Sequence, residues 1–380
     1  MFPVECFRNI PTPFYFYDLS LLRDTLDAVK QASSGSSFKV HYAVKANSND
    51  RILRMIAAFG FGADTVSGGE IAKAIECGFD PADIVFAGVG KTDAEISEAL
   101  RIGIGCFNVE SAEELEIIIE WASRLDKVAP VALRVNPEID AHTHHYITTG
   151  LAENKFGIAM SMIDNLVRKC VDNKRVDFRG LHFHIGSQIT VGEPYEELCR
   201  RINHLVGHIE SMGIDIPIIN VGGGLGIDYD MPDDNPIPDF ATYFEIFRRN
   251  LKLHHVHEIH FELGRSIVGQ CGSLISRVQY VKKGVDKQFV IIDAGFTDLI
   301  RPAFYQAHHK IENISSNASA THRYDVVGPI CESSDVFGVD EILPITHRGD
   351  LLAIRSAGAY GEVMSSQYNC RSLPGAYFIE

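Results

Sequence analysis

The sequence predicts a (β/α)8 barrel followed by a C-terminal β-domain, and three observations predict it. Eight strand-like segments alternate with amphipathic stretches over roughly 230 residues, the count and length of a closed parallel barrel. From about Ser266 onward, short β-prone runs separated by Gly, Asp and Pro replace that alternation. Near the N-terminus, Pro11-Thr12-Pro13-Phe14-Tyr15-Phe16-Tyr17-Asp18 is an extended run with no helix partner in the barrel, so it is expected to join the second domain. The expected organisation is residues 1–18 as a strand of the β-domain, 19–265 as the barrel and 266–380 as the β-domain. A chain of 380 residues, 46% hydrophobic and 22% charged, has the length and composition for two such cores.

In order along the chain, a helix is expected from Leu19 to Ala32, ending in the loop Ser33–Ser37. The expected barrel strands are Val40–Lys45, Gly62–Ser67, Ile84–Gly88, Cys106–Val109, Val131–Asn136, Gly180–Gly186, Ile216–Val221 and Ile259–Leu263. Gly68–Cys77, Ala94–Arg101, Ala112–Leu125 and Tyr195–Met212 carry apolar residues at helical spacing between them. A doubly wound open sheet is the rival architecture, but no GxGxxG stands at a first βα turn. Ser273–Val281, Phe289–Asp293, Tyr324–Val327 and Leu351–Arg355 are the strands expected of the β-domain.

The formal net charge of −15 argues against nucleic acid or an anionic membrane as main partner. A substrate bearing carboxylates would need local arginines to overcome that field. The eight cysteines are scattered without a CxxC, no signal peptide is visible and no apolar run reaches membrane length. These features point to reduced thiols in a cytoplasmic protein.

In a barrel, reactive side chains belong at the C-terminal strand ends. Lys45 closes the first strand, either as an ordinary surface lysine or as an amine forming a Schiff base with an aldehyde cofactor. The second end carries Asp64 and the fifth Arg134. Gly222-Gly223-Gly224 after the seventh strand reads as a tight turn or as an anion cradle backed by a helix N-terminus, with Ser187 and Arg265 adding a hydroxyl and a guanidinium. Glu262, ending the eighth strand, would pair with Arg265 or face a cationic ring nitrogen. At ~3 Å and an effective dielectric near 20, such a pair is worth about 5 kcal/mol before desolvation. His182 and His184, two apart on a strand, share a face and suit either a metal or stacking on a flat cofactor; no further ligand set accompanies them, so no metal is expected. His142, His144, His145, His254, His255, His257 and His260 read as loop or helix positions, solvated or structural.

Together these residues resemble the fold-type III pyridoxal-phosphate-dependent decarboxylases, whose barrel and β-domain are alanine racemase-like. The resemblance covers nearly the whole chain. It rests on Tyr42-Ala43-Val44-Lys45-Ala46-Asn47, His182-Phe183-His184-Ile185-Gly186-Ser187-Gln188, Gly222–Gly224, Cys331-Glu332-Ser333-Ser334-Asp335, and Gly358-Ala359-Tyr360-Gly361 running on to Met364-Ser365-Ser366-Gln367-Tyr368-Asn369. Thr143-His144-His145-Tyr146-Ile147-Thr148-Thr149-Gly150 with Asn154-Lys155-Phe156-Gly157 is similar to the diaminopimelate branch rather than the polyamine branches.

The resemblance implies pyridoxal 5'-phosphate on Lys45, with His184 on the ring and Glu262 at the pyridine nitrogen. Ser187, Gly223, Gly224 and Tyr360 would hold the phosphate, with Asp64 and Arg134 in support. Arg265, Arg301 and Tyr305 would bind a substrate carboxylate. Cys331, near the reacting carbon, and Glu332, on a substrate ammonium, would come from the second subunit of a homodimer. The implied reaction converts meso-2,6-diaminopimelate to L-lysine and CO2, the last step of lysine biosynthesis. Alternatives are a related decarboxylase acting on carboxynorspermidine, ornithine or lysine, an alanine-racemase-like enzyme with a tyrosine in place of Cys331, or a non-catalytic pyridoxal-phosphate carrier. The sequence departs from the family pattern at Leu263 (usually proline), at Ser334 (commonly glycine) and in the tail Tyr368–Pro374, which lacks Arg-Pro-Arg-Pro. The segment 141–154 is expected to be a lid.

Overall fold

A computed structural model describes residues 2–139, 155–252 and 257–380. The Thr143–Gly150 motif, Asn154, the expected lid at 141–154 and His142, His144, His145, His254 and His255 lie outside the described residues. Two compact units result. One comprises Leu26–Gly226 and Asp239–Gly264; the other comprises Met1–Thr25, Ile227–Pro238 and Arg265–Glu380. The sequence reading places residues 19–25 and 227–238 with the barrel, whereas they cluster with the β unit. The second of these segments packs there: Gln270 donates to the Asn235 carbonyl, and Arg355 pairs with Asp233.

A short helix, Val4–Phe7, precedes strand β1 (Phe14–Asp18). The next eight are β2 (Phe38–Ala43), β3 (Gly62–Thr65), β4 (Ile84–Phe86), β5 (Cys106–Val109), β6 (Ala129–Arg134), β7 (Val176–His182), β8 (Ile218–Asn220) and β9 (Glu258–Leu263). These eight pair in parallel, each with the next and β9 with β2, into a closed barrel. Its helices begin where short polar side chains follow the strands. Ser67, Thr92, Ser111 and Asp239 each accept a hydrogen bond from a backbone N–H of the first turn, and Thr92 with Glu95 completes a capping box. Phe240, Tyr243, Phe244 and Phe247 fall on one stripe of the helix Phe240–Asn250 and bury it, the last three against Phe261 of β9. The register sets Glu262 beside His41, Asp64 beside Ala43, and His182 between Arg134 and Asn220. Those pairings bring the polar strand ends to one rim.

The β unit adds β10 (Gly272–Lys283), β11 (Gln288–Ile292), β12 (Ile311–Asn313), β13 (Thr321–Val327), β14 (Val336–Pro344), β15 (Leu351–Ile354) and β16 (Gly375–Ile379). The long strand β10 is its spine, pairing antiparallel with β1, β11 and β15. Strand β1 also pairs in parallel with β16, and Phe7, Phe14, Phe16, Ile275, Leu351 and Ala353 form a core there. Strands β12, β14 and β16 have no counterpart in the sequence reading. The first is three residues long, and the other two lack a continuous buried face. Among the described residues no helix is long and apolar enough to cross a membrane.

Candidate active site

The barrel unit carries the first group of candidate residues. Lys45 does not end a strand: β2 stops at Ala43, and Val44–Ala46 form one 3-10 turn closed by Asn47 N–H on the Val44 carbonyl. The turn takes the chain out of the sheet and leaves the Lys45 side chain 39% exposed, with Nζ 3.3 Å from Asp64 Oδ2. Asp64 is fully buried, and its Oδ1 has no hydrogen-bond partner among the described residues. Burial first, and then the charge of Glu262, push the Asp64 carboxyl up to about 7, against the pull of Lys45.

Glu262 is buried and takes three hydrogen bonds. Asn220 donates to Oε1 at 2.7 Å and Asn108 at 3.2 Å, while His182 Nε2 donates to Oε2 at 3.1 Å. Burial alone would raise this carboxyl. His182 and Lys45 outweigh it and hold the group well below the usual carboxylate range. A carboxylate offers about four acceptor directions, so three donors leave one on Oε2. Asn108, Asn220 and His182 reach Glu262 from β5, β8 and β7.

His184 lies two residues past the end of β7, so the shared-face argument from strand alternation does not reach it. Its Nδ1 accepts from the Gly223 N–H at 3.3 Å, which puts the proton of the neutral ring on Nε2. Burial, followed by Arg134 and Lys45, pushes its pKa well below the ordinary histidine value. The adjacent loops zip together, with Ile189 N–H on the Gly224 carbonyl and Gly226 N–H on that of Ile189; Ser187 stands two residues before that pair.

The glycine run must be glycine. A Cβ on Gly223 would sit 1.8 Å from the Glu262 carbonyl oxygen, and Gly222 and Gly224 have φ of +70° and +104°. The cradle is narrower than the sequence reading expects, however. Gly222 N–H donates to Asn220 Oδ1 and Gly223 N–H to His184, while Gly224 N–H has no acceptor among the described residues. Nor does a helix follow directly; the next one begins at Phe240.

Arg134 is buried and donates to Glu110 Oε1 at 2.6 Å; Glu110 also accepts from Gly88 N–H and Gly157 N–H. Behind it, buried Lys91 donates to Glu114 Oε1 and to the Gly88 and Asn108 carbonyls. His260, read as a loop or helix position, lies instead on β9 and is buried, with Nδ1 3.1 Å from His41 Nε2.

The β unit carries the second group. Arg265 opens the short helix Arg265–Val268 and donates from Nη1 to the Tyr229 hydroxyl at 2.6 Å, with its guanidinium 4.9 Å from the Tyr360 ring centre. Tyr360 holds a left-handed backbone, φ +56°, a conformation a tyrosine adopts only where its surroundings enforce it. Arg301 is buried, 5.2 Å from the Tyr229 ring centre and 6.0 Å from that of Tyr305. Cys331 and Glu332 are exposed; Tyr368 donates to Glu332 Oε1 at 2.8 Å, and Cys331 N–H donates to Asn369 Oδ1. The motifs do not single out Asn108, Glu110, Asn220, Tyr229 or His309. A polar residue inside an apolar strand, such as Asn108 in Cys106-Phe107-Asn108-Val109, is the one signal that points to any of them.

Does the barrel group suit a pyridoxal cofactor? An amine and, among the described residues, a buried unpartnered carboxylate oxygen beside it, an ionised glutamate with one acceptor direction left and a glycine amide without an acceptor are the parts such a group needs. They fit. Residues 19–269 match the family model described as "Pyridoxal-dependent decarboxylase, pyridoxal binding domain". The chain belongs to the pyridoxal-dependent decarboxylase family.

Within this decarboxylase family, the chain is 56% identical to a diaminopimelate decarboxylase of Bacteroides thetaiotaomicron, over 99% of this chain and 98% of that one. It is 44% identical to one from Neisseria meningitidis, covering 97% and 88%. A crystal structure of diaminopimelate decarboxylase from Helicobacter pylori complexed with L-lysine superposes with a TM-score of 0.94 at 40% identity, covering 99% and 94%. A lysine/ornithine decarboxylase from Vibrio vulnificus, at 20% identity and TM-score 0.86, shares the fold.

Proposed function

We propose that this chain is a pyridoxal-phosphate-dependent carboxy-lyase converting meso-2,6-diaminopimelate to L-lysine and CO2, the last step of lysine biosynthesis. The observation that carries this reading is the 56% identity, over 99% of the chain, to a relative named diaminopimelate decarboxylase. Lys45 provides the amine that anchors the cofactor. Asp64, close to neutrality in its proton affinity and 3.3 Å away, exchanges a proton with that amine. His184 covers the ring, and its low proton affinity keeps it an uncharged neighbour. Glu262 presents a full negative charge to the ring nitrogen. Ser187, Gly223, Gly224, Arg265 and Tyr360 hold the phosphate, and Arg134, fixed by Glu110, adds positive charge behind it.

When bound, pyridoxal phosphate supplies the electron sink that accepts the bonding pair as CO2 departs. The protein's residues provide orientation and charge. Arg265, Arg301, Tyr305 and Tyr360 bind substrate, the arginines taking a carboxylate, and Glu332 takes an ammonium. Cys331 delivers the proton that replaces the carboxylate on carbon, so each turnover consumes one proton. Cys331 and Glu332 act from the second subunit of a cytoplasmic homodimer, and activity is lost on dissociation. A substrate lacking the second carboxylate would leave an arginine unpaired, a large penalty in a closed site.

Side-by-side turnover of diaminopimelate, lysine, ornithine and carboxynorspermidine tests the assignment. Diaminopimelate is expected to give the highest kcat/KM; another winner overturns it. Borohydride trapping followed by peptide mapping should place the label on Lys45.

A further inference from the structure

Arg301 is held in an unusual way for a buried cation. Its side chain is 6% exposed, yet among the described residues it forms no ion pair with a carboxylate. Its one hydrogen bond there runs from Nε to His309 Nε2 at 3.2 Å. The ring on the other side is fixed too, because His309 Nδ1 donates to the Arg355 carbonyl at 2.8 Å. Only one form of His309 satisfies both contacts: the proton sits on Nδ1 and the Nε2 lone pair accepts from the guanidinium. A proton on Nε2 would oppose two donors. Burial, and then the Arg301 charge, push the His309 pKa down to about 3, so the acceptor form persists across the working pH range.

Tyr229 completes the arrangement. Its hydroxyl accepts from Arg265, its ring lies 5.2 Å from the Arg301 guanidinium, and its ring centre is 5.0 Å from that of His309 at 78°. The segment bearing His309 is tied to the segment bearing Tyr229 by an ionic cage in which Arg355 and Lys310 both reach Asp233 and Glu312. Arg301 therefore spends Nε on an uncharged imidazole and lies beside the rings of Tyr229 and Tyr305. Its Nη1 and Nη2 make no hydrogen bond among the described residues, and that fork is the part of a guanidinium that matches a carboxylate.

We infer that His309 and Tyr229 are positioning residues that aim the open fork of Arg301 at the non-reacting carboxylate of the substrate, and so set selectivity for a diamino diacid. The inference rests on the function proposed above. L-Lysine retains that distal carboxylate and cadaverine lacks it, so the pair isolates the contact without turnover.

The test uses the holoenzyme, with the cofactor's visible absorbance reporting ligand binding and steady-state kinetics reporting KM and kcat. Wild type should bind L-lysine more tightly than cadaverine. His309→Leu should weaken L-lysine binding and raise the diaminopimelate KM about 30-fold, the scale expected when a charged hydrogen bond is misdirected, with kcat and cadaverine binding within about threefold. His309→Gln, which can place an amide oxygen near the Nε2 position, should recover most of the loss. Tyr229→Leu should lower the same lysine-to-cadaverine ratio and carries the test if His309→Leu does not fold, although its kcat should fall as well because the Tyr229 hydroxyl also accepts from Arg265. An unchanged lysine-to-cadaverine ratio in the folded variants overturns the inference. Failure of wild type to decarboxylate diaminopimelate overturns the underlying functional reading instead.

Discussion

His182 donates from Nε2 to Glu262 Oε2 across 3.1 Å, and its Nδ1 is buried with no hydrogen-bond partner among the described residues. The ring thus directs its Nε2 proton at the carboxylate. With Asn108 and Asn220 on the other oxygen, three side chains from three strands stabilise one negative charge inside the barrel. Removing a donor should raise the carboxyl's proton affinity. His182→Phe is expected to move the acidic limb of the kcat/KM profile upward by roughly one pH unit, and His182→Gln by less. A profile identical to wild type in both would show that His182 does not hold the charge.

Lys45→Ala should lower turnover by at least about 10³-fold and abolish the borohydride label, since it removes the amine proposed to anchor the cofactor. Circular dichroism should remain that of wild type, because the side chain is partly exposed and supports little packing.

Glu110 is the counter-charge of buried Arg134. Glu110→Ala would strand a guanidinium in the barrel and remove the acceptor for Gly88 and Gly157. A loss of roughly 3 kcal/mol in urea unfolding is expected, with Glu110→Gln losing about half as much. Equal stability in the alanine variant would mean that water reaches Arg134.

Gly223→Ala places a methyl where the Glu262 carbonyl stands. The expected outcome is a folded barrel that retains cofactor at least about tenfold less tightly, measured by absorbance after dialysis. Unchanged retention would remove the glycine run from the proposed phosphate site.

His41 and His260 are buried neutral. Burial, then the neighbouring His260 and Lys39, push His41 to about 3; burial, then Lys39, push His260 to about 4. These values lie below the unfolded value of about 6.5, so the unfolded chain binds protons first as pH falls. The stability these rings contribute is full above that pH and declines toward their folded values, by about 1.4 kcal/mol per pH unit for each ring. His41→Asn should therefore flatten the fall in unfolding free energy between pH 7.5 and 5.5 by about 1 kcal/mol. A parallel curve would mean that His41 is charged in the fold.

The alternation of strand and helix was legible because barrel strands buried on both faces are apolar and their helices start at short polar caps. Lys45, Asp64, Arg134, Glu262 and the glycine run could be placed because each stands at or just beyond such a strand. What periodicity could not supply was the partner of each. In sequence Glu262 reads as a mate for Arg265, three residues on, or for a cationic ring nitrogen; its donors come from positions 108, 182 and 220, and only the barrel's register brings them together. Tyr229 and His309 escaped notice for a related reason. They lie in loops without motif or periodicity, and their significance is that both touch Arg301. In the β unit, β14 breaks its apolar run at Asp340-Glu341, and β16, although apolar throughout, is only five residues long and partly exposed.

The pairing of β1 with β16 has a consequence for how this molecule comes into being. Phe14 is synthesised long before its neighbour Gly375, so one flank of strand β1 stays bare until that later segment has emerged. During that interval the aromatic side chains of Phe14, Tyr15, Phe16 and Tyr17 are an adhesive edge. A chaperone that clasps nascent apolar strands, or a change in the rate at which the codons for β16 are translated, would be expected to change the yield of native protein more than any substitution on the barrel rim.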